Sequence, residues 1–175
     1  INNSFVSNTL IGNGKSVEGG GIGLFVKKST DTANRLYFIN CSFDENKNNY
    51  ADSNSNEGGA LHLGSSPSTE LIIQKCQFKG NSCQQGRGAA ISTTTKADVT
   101  IEDCTFEKNV AKTEGNVLYI SQDSTTEVKL SIKRCNFIDN GDNQKSMISG
   151  SCVGLEFDAC QVKYTNKAKA SQAIS

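Results

Sequence analysis

A chain of 175 residues with 18 Lys and Arg, 18 Asp and Glu and a single His carries no net charge. It therefore offers neither the positive surplus that grips nucleic acid nor a polybasic patch for an anionic membrane. With 35% hydrophobic residues, 16 Gly, one Pro and no Trp, the length suits one domain of short strands and many turns, and no apolar run approaches the ~20 residues that insert directly into a bilayer.

In chain order, the sequence opens on INNSFVSN, a truncated copy of a frame that recurs downstream. GGGIGL follows from Gly19, then LYFINCSFDEN from Leu36, GGALHL from Gly58 and LIIQKCQFKGN from Leu71. Next come GRGAAI from Gly86, VTIEDCTFEKN from Val99, GNVLYI from Gly115 and LSIKRCNFIDN from Leu130. A degraded glycine element lies around Met147 to Cys152, LEFDACQVKYT begins at Leu155, and the closing SQAIS reads as the start of another. The long frame is L-x-[IF]-x-x-C-x-F-x-x-N. In the first copy Asn3 stands in the Cys column; in the last, Val162 and Thr165 replace Phe and Asn.

The glycine elements alternate with period two. Ile22/Leu24, Leu61/Leu63, Ala89/Ile91 and Leu118/Ile120 point inward, and Gly23, His62, Ala90 and Tyr119 point outward, which predicts a strand. In the long frame, two outward residues separate the L-x-I and C-x-F inward sets, and that extra residue predicts a corner. Each repeat then supplies three short strands to one coil, and stacking of coils buries the inner face. The inward columns become ladders: Cys41, Cys76, Cys104, Cys135 and Cys160, and Phe43, Phe78, Phe106 and Phe137. A third column, Asn46, Asn81, Asn109 and Asn140, is expected at turns, in the left-handed region, with each amide bonding the next.

Charge supports the stacking independently. Wherever charged residues share a column in successive long frames, their signs are opposite: Glu102/Lys133, Lys133/Asp158, Lys75/Asp103, Asp103/Arg134, Asp44/Lys79, Lys79/Glu107 and Lys108/Asp139. Neighbouring strands ~4.8 Å apart would repel if like charges were in register.

The alternation of FxxN (Phe5/Asn8, Phe43/Asn46, Phe78/Asn81, Phe106/Asn109, Phe137/Asn140) with GGA[ILV], complete only at Gly58 to Leu61, resembles the repeats of polymorphic outer-membrane proteins and related adhesin-like surface proteins. The resemblance spans nearly the whole chain. It implies an all-β, right-handed parallel β-helix (solenoid) of the pectate-lyase-like kind, here of about five to six coils, with residues 1–175 one segment of a longer repeat protein. The implied role is a non-catalytic, adhesin-like structural module at a cell surface or in an extracellular assembly, serving as rigid spacer or as a surface for proteins or glycans. The alternative is a carbohydrate-binding protein, polysaccharide lyase or glycoside hydrolase on the same scaffold. A leucine-rich repeat is the rival fold, disfavoured by the glycine strands and the lack of a helical pattern between frames.

Chemistry-bearing residues are few. The cysteine column reads as small buried hydrophobes, with pairing between coils, or with Cys83 or Cys152, left open. Without a CxxC pair a zinc site is disfavoured, and His62, in an outward column, is expected to be solvated and to build no relay. GNGKS at Gly12 to Ser16 fails the phosphate-loop pattern because Thr9 stands where a Gly is required. Asp52, Asn54, Asn56 and Glu57 could offer oxygens to calcium but lack repeated ligand spacing. The reading thus assigns no catalytic residue, metal or cofactor. Sequons place possible N-glycosylation at Asn2 and Asn40. Neither end reads as a polar cap and no secretory leader pattern opens the sequence, so the ends are expected to meet further coils of the same chain or a neighbouring protein.

Overall fold

The computed structural model describes residues 2–10, 20–25, 34–49, 56–64, 69–94, 98–121, 128–141 and 145–165. Among them there is no helix; 20 short strands form four sheets in which every pairing is parallel. Each sheet takes one strand from successive repeats, so a column in the sequence is a row of neighbours in space.

The long-strand sheet runs Asn34–Ile39, Thr69–Gln74, Val99–Glu102, Lys129–Lys133 and Gly154–Asp158. Its L-x-I alternation gives strict alternation of buried and half-buried residues along Thr69–Gln74, as a strand with one face on a core requires. The Phe sheet runs Ser4–Val6, Ser42–Asp44, Gln77–Lys79, Thr105–Glu107, Asn136–Ile138 and Gln161–Lys163. The two are joined at a corner by Asn40, Lys75, Asp103, Arg134 and Ala159, all in the left-handed region at φ 50–54°. That conformation costs a non-glycine residue about 1–3 kcal/mol. Stacking offsets the cost, because the turn amide of one repeat donates to the next repeat, as Lys75 N–H does to Glu102 O at 3.0 Å and Asp103 N–H to Lys133 O at 3.0 Å.

The second corner departs from the expected conformation. The left-handed residue is not the FxxN asparagine but the one before it: Ser7, Glu45, Gly80, Lys108 and Asp139, with φ between 49° and 61°. The turn throws the asparagine side chain inward, where Asn46, Asn81 and Asn109 are fully buried. Held by that inward amide, the following residues pair with their neighbours as a two-residue strand: Thr9–Leu10, Lys47–Asn48, Ser82–Cys83 and Val110–Ala111. Complete repeats therefore carry four strands rather than three.

The glycine sheet runs Ile22–Phe25, Leu61–Gly64, Ile91–Thr93, Leu118–Ile120 and Ile148–Gly150. Its third strand corrects the sequence frame by two residues: Ile91, not Ala89, is opposite Leu61 and Leu118, so Ser92 takes the intervening position assigned to Ala90. The reason is backbone conformation. Gly88, at φ 64°, is the counterpart of Gly58 at 73° and Gly115 at 61°, and a Cβ at Gly88 would lie 2.4 Å from the Ile91 carbonyl oxygen.

The core lies between the sheets. Phe43, Phe78, Phe106 and Phe137 are buried and stacked, with ring centroids 4.6 Å, 5.1 Å and 5.2 Å apart. Where Val162 breaks the column, Phe157 stacks on Phe137 instead, at 5.6 Å. Beyond it the last repeat leaves Val153, Leu155 and Phe157 exposed, and Leu155 and Phe157 line, with Met147 and Ile148, an apolar cavity of about 360 Å³.

Candidate functional site

Three files of side chains run along the stack. In the asparagine file, Asn8 Nδ2 donates to Asn46 Oδ1 at 2.9 Å, Asn46 to Asn81 at 3.0 Å, Asn81 to Asn109 at 2.9 Å and Asn109 to Asn140 at 2.9 Å. The second Nδ2 hydrogen reaches the Phe carbonyl of the preceding repeat, as from Asn81 to Phe43 and from Asn109 to Phe78. Each ladder Oδ1 also accepts the preceding asparagine's backbone N–H. The file ends at Thr165, which turns back to donate twice to Asp139, at 2.7 and 2.9 Å.

All seven cysteines are free thiols; Cys152 is exposed and Cys160 half-buried. Cys41 N–H donates to Cys76 Sγ at 3.3 Å, Cys76 N–H to Cys104 Sγ at 3.4 Å and Cys135 N–H to Cys160 Sγ at 3.4 Å. Cys83 stands apart, its thiol toward Asn56 O at 3.6 Å, and burial pushes its pKa up to about 12.

The charge file is in register at Glu102 and Lys133, Lys133 and Asp158, Asp44 and Lys79, and Lys79 and Glu107. Contacts follow side-chain reach as well as register. Arg134 takes both Asp103, at 2.7 Å, and Glu102, while Lys133 reaches Glu156 at 3.0 Å. The guanidinium accordingly lowers the Asp103 pKa. Two further contacts lie outside the columns of the long frame: Arg35 with Glu70, at 2.7 Å, and the file Glu57, Arg87, Glu114, whose backbones pair as parallel β-bridges and in which the Arg87 guanidinium lies 3.9 Å from the Glu114 carboxylate. The second was hidden by the two-residue frame error at Gly86, because these residues immediately precede Gly58, Gly88 and Gly115.

That file leans over the outward column of the glycine sheet and changes its chemistry. His62 is not solvated: it is 1% exposed, and Ser92 is fully buried. Ser92 Oγ lies 2.6 Å from His62 Nδ1, and the Glu57 carboxylate is 3.6 Å from the same nitrogen and 3.5 Å from Ser92 Oγ. Burial lowers the His62 pKa to about 4, leaving a neutral imidazole at pH 7. A serine relay places the hydroxyl and the carboxylate on opposite ring nitrogens. Here both meet Nδ1, so the trio is a buried polar cluster with a geometry different from that relay. Further along, Arg87 packs 4.9 Å over the Tyr119 ring and donates to its hydroxyl at 2.8 Å, and Ser149 donates to Glu114 at 3.3 Å.

The remaining sequence candidates are dispersed. Asn2 and Asn40 are exposed. Asn56 is buried, its carbonyl accepting Arg87 N–H at 2.9 Å, and Asp52, Asn54, the GNGKS stretch and the closing SQAIS lie outside the described residues. No three His, Cys, Asp or Glu among the described residues are grouped to hold a metal ion.

Comparison of the chain with protein-family models, with curated proteins and with solved structures found no match.

Proposed function

We propose that the chain is a right-handed parallel β-helix segment of about five to six coils, acting as a non-catalytic rigid spacer or adhesin-like rod in a cell-surface or extracellular protein. The observation that carries this reading is the asparagine file, unbroken from Asn8 to Asn140. Its bonds couple each coil only to its neighbours and repeat without a singular point at which chemistry is concentrated. With strands ~4.8 Å apart, the six strands of the Phe sheet set a rod of roughly 24 Å between first and last. The right-handed sense and the surface setting rest on the GGA[ILV] and FxxN resemblance. The exposed Leu155 and Phe157 suit further coils of a longer chain or a neighbouring protein, and exposed Asn2 and Asn40 suit glycosylation.

Excision of Leu71 to Asp98 tests the reading, because Leu71 and Val99 are register partners and the cut removes one whole coil. A spacer refolds and shortens by ~4.8 Å in small-angle scattering. The carbohydrate-active alternative is tested on a glycan array and a turnover panel of acidic polysaccharides: cleavage that disappears on changing one carboxylate cluster would overturn the structural reading.

A further inference from the structure

The cysteine file differs from the phenylalanine and asparagine files in being chemically convertible. Its successive members are joined by backbone-to-sulfur hydrogen bonds, Cys41 N–H to Cys76 Sγ at 3.3 Å, Cys76 N–H to Cys104 Sγ at 3.4 Å and Cys135 N–H to Cys160 Sγ at 3.4 Å, while the Cys41 and Cys76 thiols donate to the Ile39 and Gln74 carbonyls. Parallel strands in register hold neighbouring Cα atoms ~4.8 Å apart, within the ~4.4–6.8 Å range that a disulfide spans. Most of the file is sealed: Cys104 and Cys135 are at most 1% exposed. Beside Ser4–Val6, a shallow groove is lined by Cys41, which is 5% exposed, together with Asn3, Asn40, Gln77 and Lys75. That lining is polar and carries a cation, which suits a small anionic thiol reagent and not an apolar one. The neighbouring Cys104 side chain and the Cys41 N–H at its sulfur hold the Cys76 thiol below its ordinary pKa, favouring the thiolate form there, whereas burial raises that of Cys41.

We propose that Cys41 and Cys76 form a disulfide between adjacent repeats by exchange with a small anionic disulfide such as glutathione disulfide admitted at this groove. The Cys41 thiolate attacks one glutathione sulfur, forming a mixed disulfide and expelling one glutathione thiolate. The Cys76 thiolate then attacks Cys41 Sγ and expels the second. Two protein thiols are oxidised, one glutathione disulfide is reduced to two glutathiones, and the two thiol protons go to solvent or to the departing thiolates. The product closes a loop of one full repeat and replaces a hydrogen-bonded rung by a covalent staple. It does not depend on whether the module is a spacer or binds glycans.

The test uses the full folded chain incubated with glutathione disulfide, acid-quenched, alkylated in denaturant and digested with trypsin. The expected product is Leu36–Lys47 linked to Cys76–Lys79, with two fewer alkylatable thiols, and it is absent after reduction. Cys41→Ser abolishes the linked peptide, and Cys104→Ser leaves it. The proposal is overturned if both peptides are fully alkylated, if Cys41 stops at the mixed disulfide, if Cys76 is joined to Cys104, or if Cys135 joins Cys160 while Cys41 stays reduced. The wild-type map decides by itself should a variant fail to fold.

Discussion

Replacing Asn109 with Ala removes four hydrogen bonds at once. Its Nδ2 donates to Asn140 Oδ1 and Phe78 O, both at 2.9 Å, and its Oδ1 accepts Asn81 N–H at 3.1 Å and Asn81 Nδ2 at 2.9 Å. Asn140 Oδ1 keeps one partner, the Asn109 backbone N–H. Asn81 N–H, one Asn81 Nδ2 hydrogen and Phe78 O lose the bonds described here in a site with no solvent exposure at Asn81 or Asn109. An orphaned buried polar group costs about 1–3 kcal/mol, and part of the sum is recovered by relaxation, so the expected loss is about 3–6 kcal/mol. That is a large share of the about 5–15 kcal/mol that holds a domain together. Urea unfolding followed by circular dichroism measures it, with the exposed Lys112→Ala as a control expected within about 0.5 kcal/mol of the parent. Hydrogen exchange localises it, because the Asn81 amide loses its acceptor and should exchange faster than the Phe78 amide. A loss below about 1 kcal/mol with unchanged m-value would refute the reasoning, since the file would then be a consequence of the stack and not a cause.

Acid should weaken the fold through His62. Its folded pKa of about 4 lies below the ordinary value of 6.5, so the unfolded chain binds the proton more readily. The contribution is complete above pH 6.5 and is lost as pH falls toward 4; at ~1.4 kcal/mol per pKa unit it amounts to about 3 kcal/mol at most. His62→Gln should flatten that part of the stability profile, and an unchanged slope between pH 6.5 and 4 would count against it. Arg134→Ala should lower the melting temperature slightly, with the difference from the parent shrinking in high salt, because the pairs to Asp103 and Glu102 are solvent-exposed. Gly88→Ala, with φ 64° and a Cβ 2.4 Å from Ile91 O, should cost more than 1 kcal/mol, whereas Gly154→Ala, whose nearest neighbour is Lys129 Cγ at 3.7 Å, should be tolerated; equal effects in thermal melts would contradict the assigned register.

Much of the architecture is legible because stacking turns repetition into adjacency. The frame that put Phe43, Phe78, Phe106 and Phe137 in one column also identifies residues that pair across the Phe sheet, and the opposite charges of Glu102 and Lys133 mark true register partners. The third glycine strand is ambiguous in the sequence because GRGAAI offers two glycines, Gly86 and Gly88, and composition alone does not say which adopts positive φ; Gly88 does. The asparagine turn was displaced by one residue for a related reason. Glu45 and Lys108 show no preference for the left-handed region in their side chains; they adopt it because the next residue must send its amide inward.

What the sequence by itself determined is the repeat, the inward files and the zero net charge distributed as alternating rows, since these depend on the order of residues along the chain. What only the tertiary structure decided is the environment of the outward column. Period-two alternation says that His62 faces away from the core of its own strand, but not that Glu57 lies against it or that Ser92 joins it from the next repeat. Burial is a property of everything that packs on a residue, and a single strand's pattern carries only half of that information.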